Sequence, residues 1–429
     1  MKSPEASPTL VMNERVNDMW KAGKDVLHLG FGESRFPAHP ALARMLQENT
    51  FRRSYLPSLG LPELRDAMAK YYSGKLGCTF SADQVIVGVG SKSLLYAAIQ
   101  SIEGDVLLPK PSWVSYSSIA KLTGRSVQRF LLDSEKDYCL NIDFLGSAYD
   151  EAVKNGLFPK MVILNSPCNP VGNVASVSEL KLVADWAREK DLYVLSDEIY
   201  SFVTYDGYEH HSISEYYPEK TIIFGGLSKH LSLGGWRVGM AILPKGDIGS
   251  SLSNSFQAIA GCVWSCVPAP IQHAAVFAYS GNKEIEAYIK TCTTIHQIRT
   301  HYIYQSLINI GFKMPEPVGG FYLYPSFRKW KETLSKMGIF SCNDLSAYLL
   351  DTFGIATLPG SAFGDDPENF ALRLSTSFLD METDEQADKI LKAYEMDNNP
   401  DSFIQNHHPR IALFLKKMGD FFQNLISRD

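Results

Sequence analysis

Three buried strands in succession, each emptying into a polar residue, constrain this chain more than anything else in it. Met161-Val-Ile-Leu runs into an Asn/Pro loop that carries Asn169. Leu192-Tyr-Val-Leu-Ser ends on Asp197, with Tyr200 close behind, and Thr221-Ile-Ile-Phe is followed by Gly225, Gly226 and then Lys229. Short apolar, β-branched runs bounded by turn residues read as buried strands. The carboxyl ends of such strands are the edge at which an open αβ sheet binds ligands. Taken singly, Asn169 is a turn former and Asp197 a helix N-cap. Together at one edge they outline a site.

Lys229 is the most informative of the three. Gly225 and Gly226 let the backbone turn sharply after the strand. Arg237 follows eight residues later, flanked by Gly235 and Gly239. This suits an amine desolvated enough to act as a nucleophile, with a fixed cation beside it to hold an anion. A second anion site is written upstream, where the strand 85–89 meets Gly90, Ser91 and Lys92 and a helix then runs through Ser101. Unpaired N–H groups and the positive helix end would face a phosphate there. A strand from Gly104 leads into a Pro-framed loop with Trp113, an indole that by itself reads as a cap on the core. Arg373 lies inside the strand-like run 370–377, and a buried arginine requires an anion, from the protein or from a substrate.

Other segments set the frame. Residues 10–24 read as a helix with Val11, Met12, Val16, Met19 and Trp20 on one side, and 26–32 as a strand entering a Gly-containing loop. Pro62 follows the Gly60 turn at the first position of a helix, where its missing N–H costs nothing. Residues 319–325 read as a strand and 343–353 as a helix. Beyond the break at Pro400, residues 409–426 read as a helix with Ile411, Phe414, Leu415, Met418, Phe421, Phe422, Leu425 and Ile426 on one stripe, expected to pack on the chain's own body or on a dimer mate.

Composition narrows the function classes. With 429 residues, 45% hydrophobic and 21% charged, the chain is that of a soluble, enzyme-sized protein. A net charge of -6 argues against nucleic acid or an anionic membrane as the main partner. No apolar run is long enough to span a bilayer, and residues 1–8 lack the apolar core of a secretory signal. Seven scattered cysteines suit free thiols in a reducing, cytoplasmic setting. Cys262 and Cys266, the closest pair, lack a matching second pair and read as packing, so no metal is expected.

The stretch 225–239 resembles the Schiff-base lysine motif of fold-type I pyridoxal-phosphate enzymes, specifically the class I/II aminotransferases. Similar motifs follow in order over residues 25–396: the Gly-Phe-Gly32-Glu segment, the Tyr55 loop, the Gly90-Ser91-Lys92 turn, Pro-Ser-Trp113, Asn169-Pro-Val-Gly, Asp197-Glu-Ile-Tyr200, and Arg373-Leu-Ser. The resemblance implies an α/β fold: a large domain with a mostly parallel seven-stranded sheet between helices, and a smaller α/β domain built from both chain ends. Residues 1–45 would be an amino-terminal arm and part of the small domain, 46–290 the large cofactor-binding domain, 291–396 the small domain and 397–429 a helical extension. The implied cofactor is pyridoxal 5'-phosphate and the implied reaction transfer of an amino group between an L-amino acid and a 2-oxo acid.

By resemblance, Lys229 would bond the cofactor and act as the general base, Asp197 would keep the ring nitrogen protonated, and Tyr200 and Asn169 would bond the ring oxygen. Trp113 would stack on the ring. Arg237, Gly90, Ser91, Lys92 and Ser228 would surround the phosphate, together with Tyr55 from the other subunit of a homodimer with shared active sites. Arg373, Gly32 and Asn169 would hold the substrate carboxylate. Two departures are visible: Ser34 stands where Pro is usual, and Gly226 where many members have a phosphate-binding serine. Lys92 and Arg35 are the basic candidates for a second substrate carboxylate, while Trp264, in the stretch 258–270, leaves aromatic or aliphatic side chains open. Other fates on the same fold remain alternatives, namely a C-S/β-lyase, synthase, racemase or amino-acid oxidase, and beyond them a non-catalytic scaffold.

Overall fold

The apolar, β-branched runs become strands. In chain order these are β1 (Leu27–His28), β2 (Val85–Val89), β3 (Asp105–Lys110), β4 (Val127–Leu131), β5 (Pro159–Asn165), β6 (Tyr193–Asp197), β7 (Thr221–Gly226), β8 (Val238–Ile242), β9 (Tyr322–Leu323), β10 (Ile355–Ala356), β11 (Leu358–Pro359) and β12 (Leu372–Ser375). The computed structural model describes residues 7–427, so most of the amino-terminal stretch 1–8 lies outside the described residues.

Seven strands make one sheet in the order β2-β8-β7-β6-β5-β3-β4. β8 is antiparallel to both β2 and β7, and the remaining neighbours are parallel. Successive residues of β7 serve opposite faces. Ile222 and Phe224 join a core with Leu94, Leu95 and Phe256, while Ile223 joins another with Leu64, Met68 and Ala275. Burial on both faces is why the strand reads as a continuous apolar run rather than an alternation.

The reversed strand places the site. Because β8 runs backward, its amino end lies at the carboxyl edge of its neighbours: Val238 pairs with Val89, and Gly239 pairs with both Gly88 and Gly226. Gly225 and Gly226 are therefore paired strand residues, not the turn expected before Lys229. Their small size answers contact instead. A Cβ on Gly225 would stand 2.5 Å from the Tyr72 hydroxyl, and one on Gly226 2.5 Å from the Val238 carbonyl.

The remaining strands belong to a second layer, with β11-β12-β9 antiparallel and β1 parallel to β10. The helix Lys283–Asn309 runs between the two parts and contributes Ile295, Ile303 and Leu307 to a core shared with Leu27, Leu323, Leu345 and Leu372. The helices Pro400–His407 and Pro409–Ile426 complete that core through Phe403, Ile411, Phe414, Met418, Phe421 and Leu425. The carboxy-terminal stripe thus packs on the chain's own body, except that Ile426 is 45% exposed.

Three local expectations change. The amino-terminal helix Pro8–Lys21 buries Val16 but leaves Val11 at the surface. The strand expected over 319–325 contracts to Tyr322–Leu323, its start delayed by Gly320, which takes a positive φ of 70°. All seven cysteines are free, but Cys262 is exposed rather than packed.

Candidate active site

The level carboxyl ends of β5, β6 and β7 form the floor of a cleft of about 370 Å³. Asn165 pairs with Asp197, and Asp197 with Phe224, so the loops bearing Asn169, Tyr200 and Lys229 leave the sheet side by side. Lys229 Nζ donates to the Gly32 carbonyl at 2.7 Å and lies 5.3 Å from the Tyr200 ring centre. Desolvation lowers its amine to about 8; Glu33 opposes that shift, and Arg373 adds to it. Such an amine is still mostly protonated near physiological pH, but its neutral, nucleophilic fraction is far larger than that of an ordinary lysine.

Asp197 is 3% exposed. Its Oδ2 accepts from the Tyr116 hydroxyl at 2.7 Å and its Oδ1 from the Ile199 N–H at 3.3 Å. Burial raises its carboxyl to about 6, although the bond from Tyr116 pulls the other way. No helix follows it, so it serves the cleft and a local turn rather than an N-cap. Asn169 is anchored by its own N–H on Asn165 Oδ1 at 2.8 Å, and its buried Oδ1 has no hydrogen-bond partner among the described residues.

The anion corner follows from the reversed strand. The Gly90 N–H donates to the Arg237 carbonyl at 3.0 Å, and Arg237 Nη1 donates to the Gly234 carbonyl at 2.9 Å. The helix Gly90–Ser101 begins with no side-chain cap, so the N–H groups that follow Gly90 are available to an anion. The corner has no room to spare. A Cβ on Gly90 would stand 2.3 Å from Arg237 Nη2, and one on Gly239 2.2 Å from the Ser91 nitrogen. Ser91 and Ser228 line the same cleft. Lys92 Nζ lies 5.1 Å from the Trp113 ring centre, and Trp113 meets Tyr116 edge-on. Desolvation, then the Arg237 cation, hold Lys92 below the ordinary lysine value.

On the opposite wall Arg373 is 1% exposed. Its Nη2 donates to the Gly30 carbonyl at 2.6 Å and its guanidinium lies 4.9 Å from the Tyr322 ring centre. Among the described residues no carboxylate pairs with it, and its buried Nε has no partner. A buried cation in that condition awaits an anion.

Two sequence candidates stand apart. Arg35 does not line the cleft and is already engaged, donating to the Met381 and Glu382 carbonyls, to Asp384 and to Glu33 at the cleft's edge. Tyr55 is 88% exposed and does not line this chain's cleft. Conversely, Tyr116, Tyr322 and Glu33 line the cleft without having been singled out, as do Ser7, Thr9 and Leu10. Tyr116 carried a signal, one helical turn after Trp113; Tyr322 sits in a strand too short to show a periodic pattern.

The residues fit pyridoxal phosphate. The uncapped helix start with Arg237 suits its phosphate, the buried Asp197 its ring nitrogen, and the unpartnered Asn169 and the phenol of Tyr200 its ring oxygen. Among the described residues, no group of three His, Cys, Asp or Glu is arranged to hold a metal ion.

Comparison with known proteins agrees. The family model for aminotransferase class I and II matches residues 24–390. An aspartate aminotransferase of Geobacillus stearothermophilus is 35% identical over 388 residues, covering 88% of this chain and 94% of the relative. An asparagine–oxo-acid transaminase of Streptococcus mutans is 31% identical over 401 residues, covering 91% and 96%. Among solved structures, aspartate aminotransferase from Thermus thermophilus with maleate superposes with a TM-score of 0.77 at 26% identity, covering 90% of this chain and 96% of that one.

Proposed function

We propose, for a chain that belongs to the aminotransferase class I and II family, an acidic amino acid and its 2-oxo acid as the substrate pair. The chain is a pyridoxal-phosphate-dependent aminotransferase; its preferred side chain and the duties of its residues are our reading. Bound pyridoxal phosphate supplies the electron sink that lets an amino acid lose its Cα proton and carries the amino group between the two half reactions.

The chain's own residues do the rest. Arg373 would grip the α-carboxylate, and the neutral form of the Lys229 amine would take the proton from Cα and deliver it across the amino nitrogen to the cofactor's carbon. Asp197 holds a proton on the ring nitrogen as a buried counter-charge. Tyr200 and Asn169 bond the ring oxygen, Trp113 stacks on the ring, and Arg237, Ser228 and the amides at Ser91 and Lys92 hold the phosphate.

One observation carries the acidic substrate. Lys92 and Arg373 line the same cleft, and neither has a carboxylate partner among the described residues. With Arg35 committed elsewhere, Lys92 is the basic group left for a distal carboxylate. The aspartate named for relatives is consistent with this reading. The test is single-turnover kinetics with aspartate, alanine and phenylalanine, followed by the visible spectrum. Aspartate should convert the cofactor fastest, and Lys92→Gln should lower kcat/KM for aspartate about 10- to 100-fold, the size of one charged hydrogen bond, with little change for alanine. Equal losses for both substrates would refute the assignment.

The exposed Tyr55 and Phe51 support a homodimer in which Tyr55 reaches the partner's phosphate site. Seven free thiols support a cytoplasmic location, and among the described residues no helix is long and apolar enough to cross a membrane. The shared core supports a small domain made of residues 1–45 and 291–396 plus the 397–429 extension, around a large domain over 46–290.

A further inference from the structure

Tyr322 has no part in the duties assigned above, yet it is buried and lines the cleft. The strand register puts it there. Ser375 of β12 pairs with Tyr322 of β9, so Tyr322 and Arg373 leave the small sheet on one face as diagonal neighbours. Its hydroxyl stands 2.5 Å from the Tyr200 hydroxyl and 3.5 Å from the Gly32 carbonyl. A Cβ on Gly32 would stand 2.3 Å from that hydroxyl, so the glycine is what admits it.

The direction of the short bond follows from its neighbours. The Tyr200 oxygen at 2.5 Å is much nearer to the Tyr322 hydroxyl than the Gly32 carbonyl at 3.5 Å, which makes it the acceptor for the Tyr322 proton whether or not Lys229 is engaged elsewhere. Burial raises both phenols and the Arg373 cation offsets part of the rise in each, but Tyr322, whose ring lies against that cation, is raised less than Tyr200 and is the better donor of the two. A phenol whose oxygen accepts a hydrogen bond is itself a better donor through its own proton. The charged groups around the pair are Arg373, Asp197, Lys229 and Glu33.

Resting on the pyridoxal-phosphate reading of the cleft, we propose that Tyr322 is a positioning residue: its hydroxyl donates to Tyr200 and thereby turns the Tyr200 proton toward the cofactor's ring oxygen. Negative charge on that oxygen is then held by a chain of two phenols rather than by one.

The test is a pH titration of the visible absorbance of the holoenzyme in the native chain, Tyr322→Phe, Tyr200→Phe and the double variant. Tyr322→Phe keeps the ring over Arg373 and should raise the midpoint by about half to one pH unit, the worth of one neutral hydrogen bond. In the Tyr200→Phe background the same substitution should add nothing, because the relay is already cut. Gly32→Ala, which pushes the Tyr322 hydroxyl away, should shift the midpoint in the same direction and covers the case in which Tyr322→Phe fails to fold. An unchanged midpoint in the single variants, or an additive shift in the double one, overturns the relay while cofactor binding stands. A native chain that takes up pyridoxal phosphate without any chromophore overturns the cofactor site, and the relay with it.

Discussion

At the scale of single residues, the site works against stability. Asp197 is a carboxyl whose folded value of about 6 lies above its ordinary value of 3.8. Between those values the unfolded chain is ionised and the folded chain is protonated, so the unfolded state binds fewer protons and stability falls as pH rises through that window. Above pH 6 the penalty is complete, on the order of 3 kcal/mol for a shift of about two units. Asp197→Asn should therefore stabilise the cofactor-free protein at pH 7.5 by up to about that amount, and the advantage should vanish below pH 4. Urea melts at the two pH values check it. Lys229 has the opposite role in pH. With its amine at about 8, the rate of cofactor uptake should rise roughly tenfold per pH unit below 8 and level off above it, as stopped-flow absorbance would record. Lys229→Ala should abolish the absorbance of the lysine-bound cofactor.

At the scale of elements, the contact between β7 and β8 explains the departure at Gly226. A side chain there would meet the Val238 carbonyl at 2.5 Å and the Gly239 Cα at 3.0 Å, both backbone atoms that cannot step aside. Gly226→Ser, which restores the residue usual in the family, should cost about 1–3 kcal/mol in a urea melt and should not tighten phosphate binding. Ser228 and the amides of the helix Gly90–Ser101 already line the anion corner. The glycines of this region thus serve close approach between neighbouring strands, where the sequence suggested a turn.

At the scale of the whole molecule, the carboxy-terminal extension is part of the second core rather than an appendage. Phe414 is 0% exposed among Leu345, Ile411 and Phe421. Phe414→Ala should destabilise the protein by about 3–5 kcal/mol while leaving the holoenzyme spectrum of the folded fraction unchanged, as thermal melts and absorbance would show together. The extension also reaches toward the site. Arg410 bonds Glu382 and the Val26 carbonyl, Arg35 bonds the neighbouring Glu382 carbonyl, and both flank the segment that runs from β1 to Gly32.

Much of this was written in the chain. The strand runs fixed the order of the elements, and the residues at their carboxyl ends named Asn169, Asp197 and Lys229, because burial on two faces forces long apolar runs and leaves polar residues to the ends. Arg373 was legible for a related reason, a charge inside an apolar strand. Other features were decided only by folding. The reversal of β8 brings Arg237 to Gly90, 147 positions earlier in the chain, and the register of β9 on β12 brings Tyr322 between Arg373 and Tyr200. Arg35 and Lys92 looked equivalent in sequence until one was tied down by the backbone at Met381 and Glu382. Periodicity records which residues are buried, a local property of each segment; which of them meet depends on strand direction and register, and those are set by pairing between segments far apart in the chain.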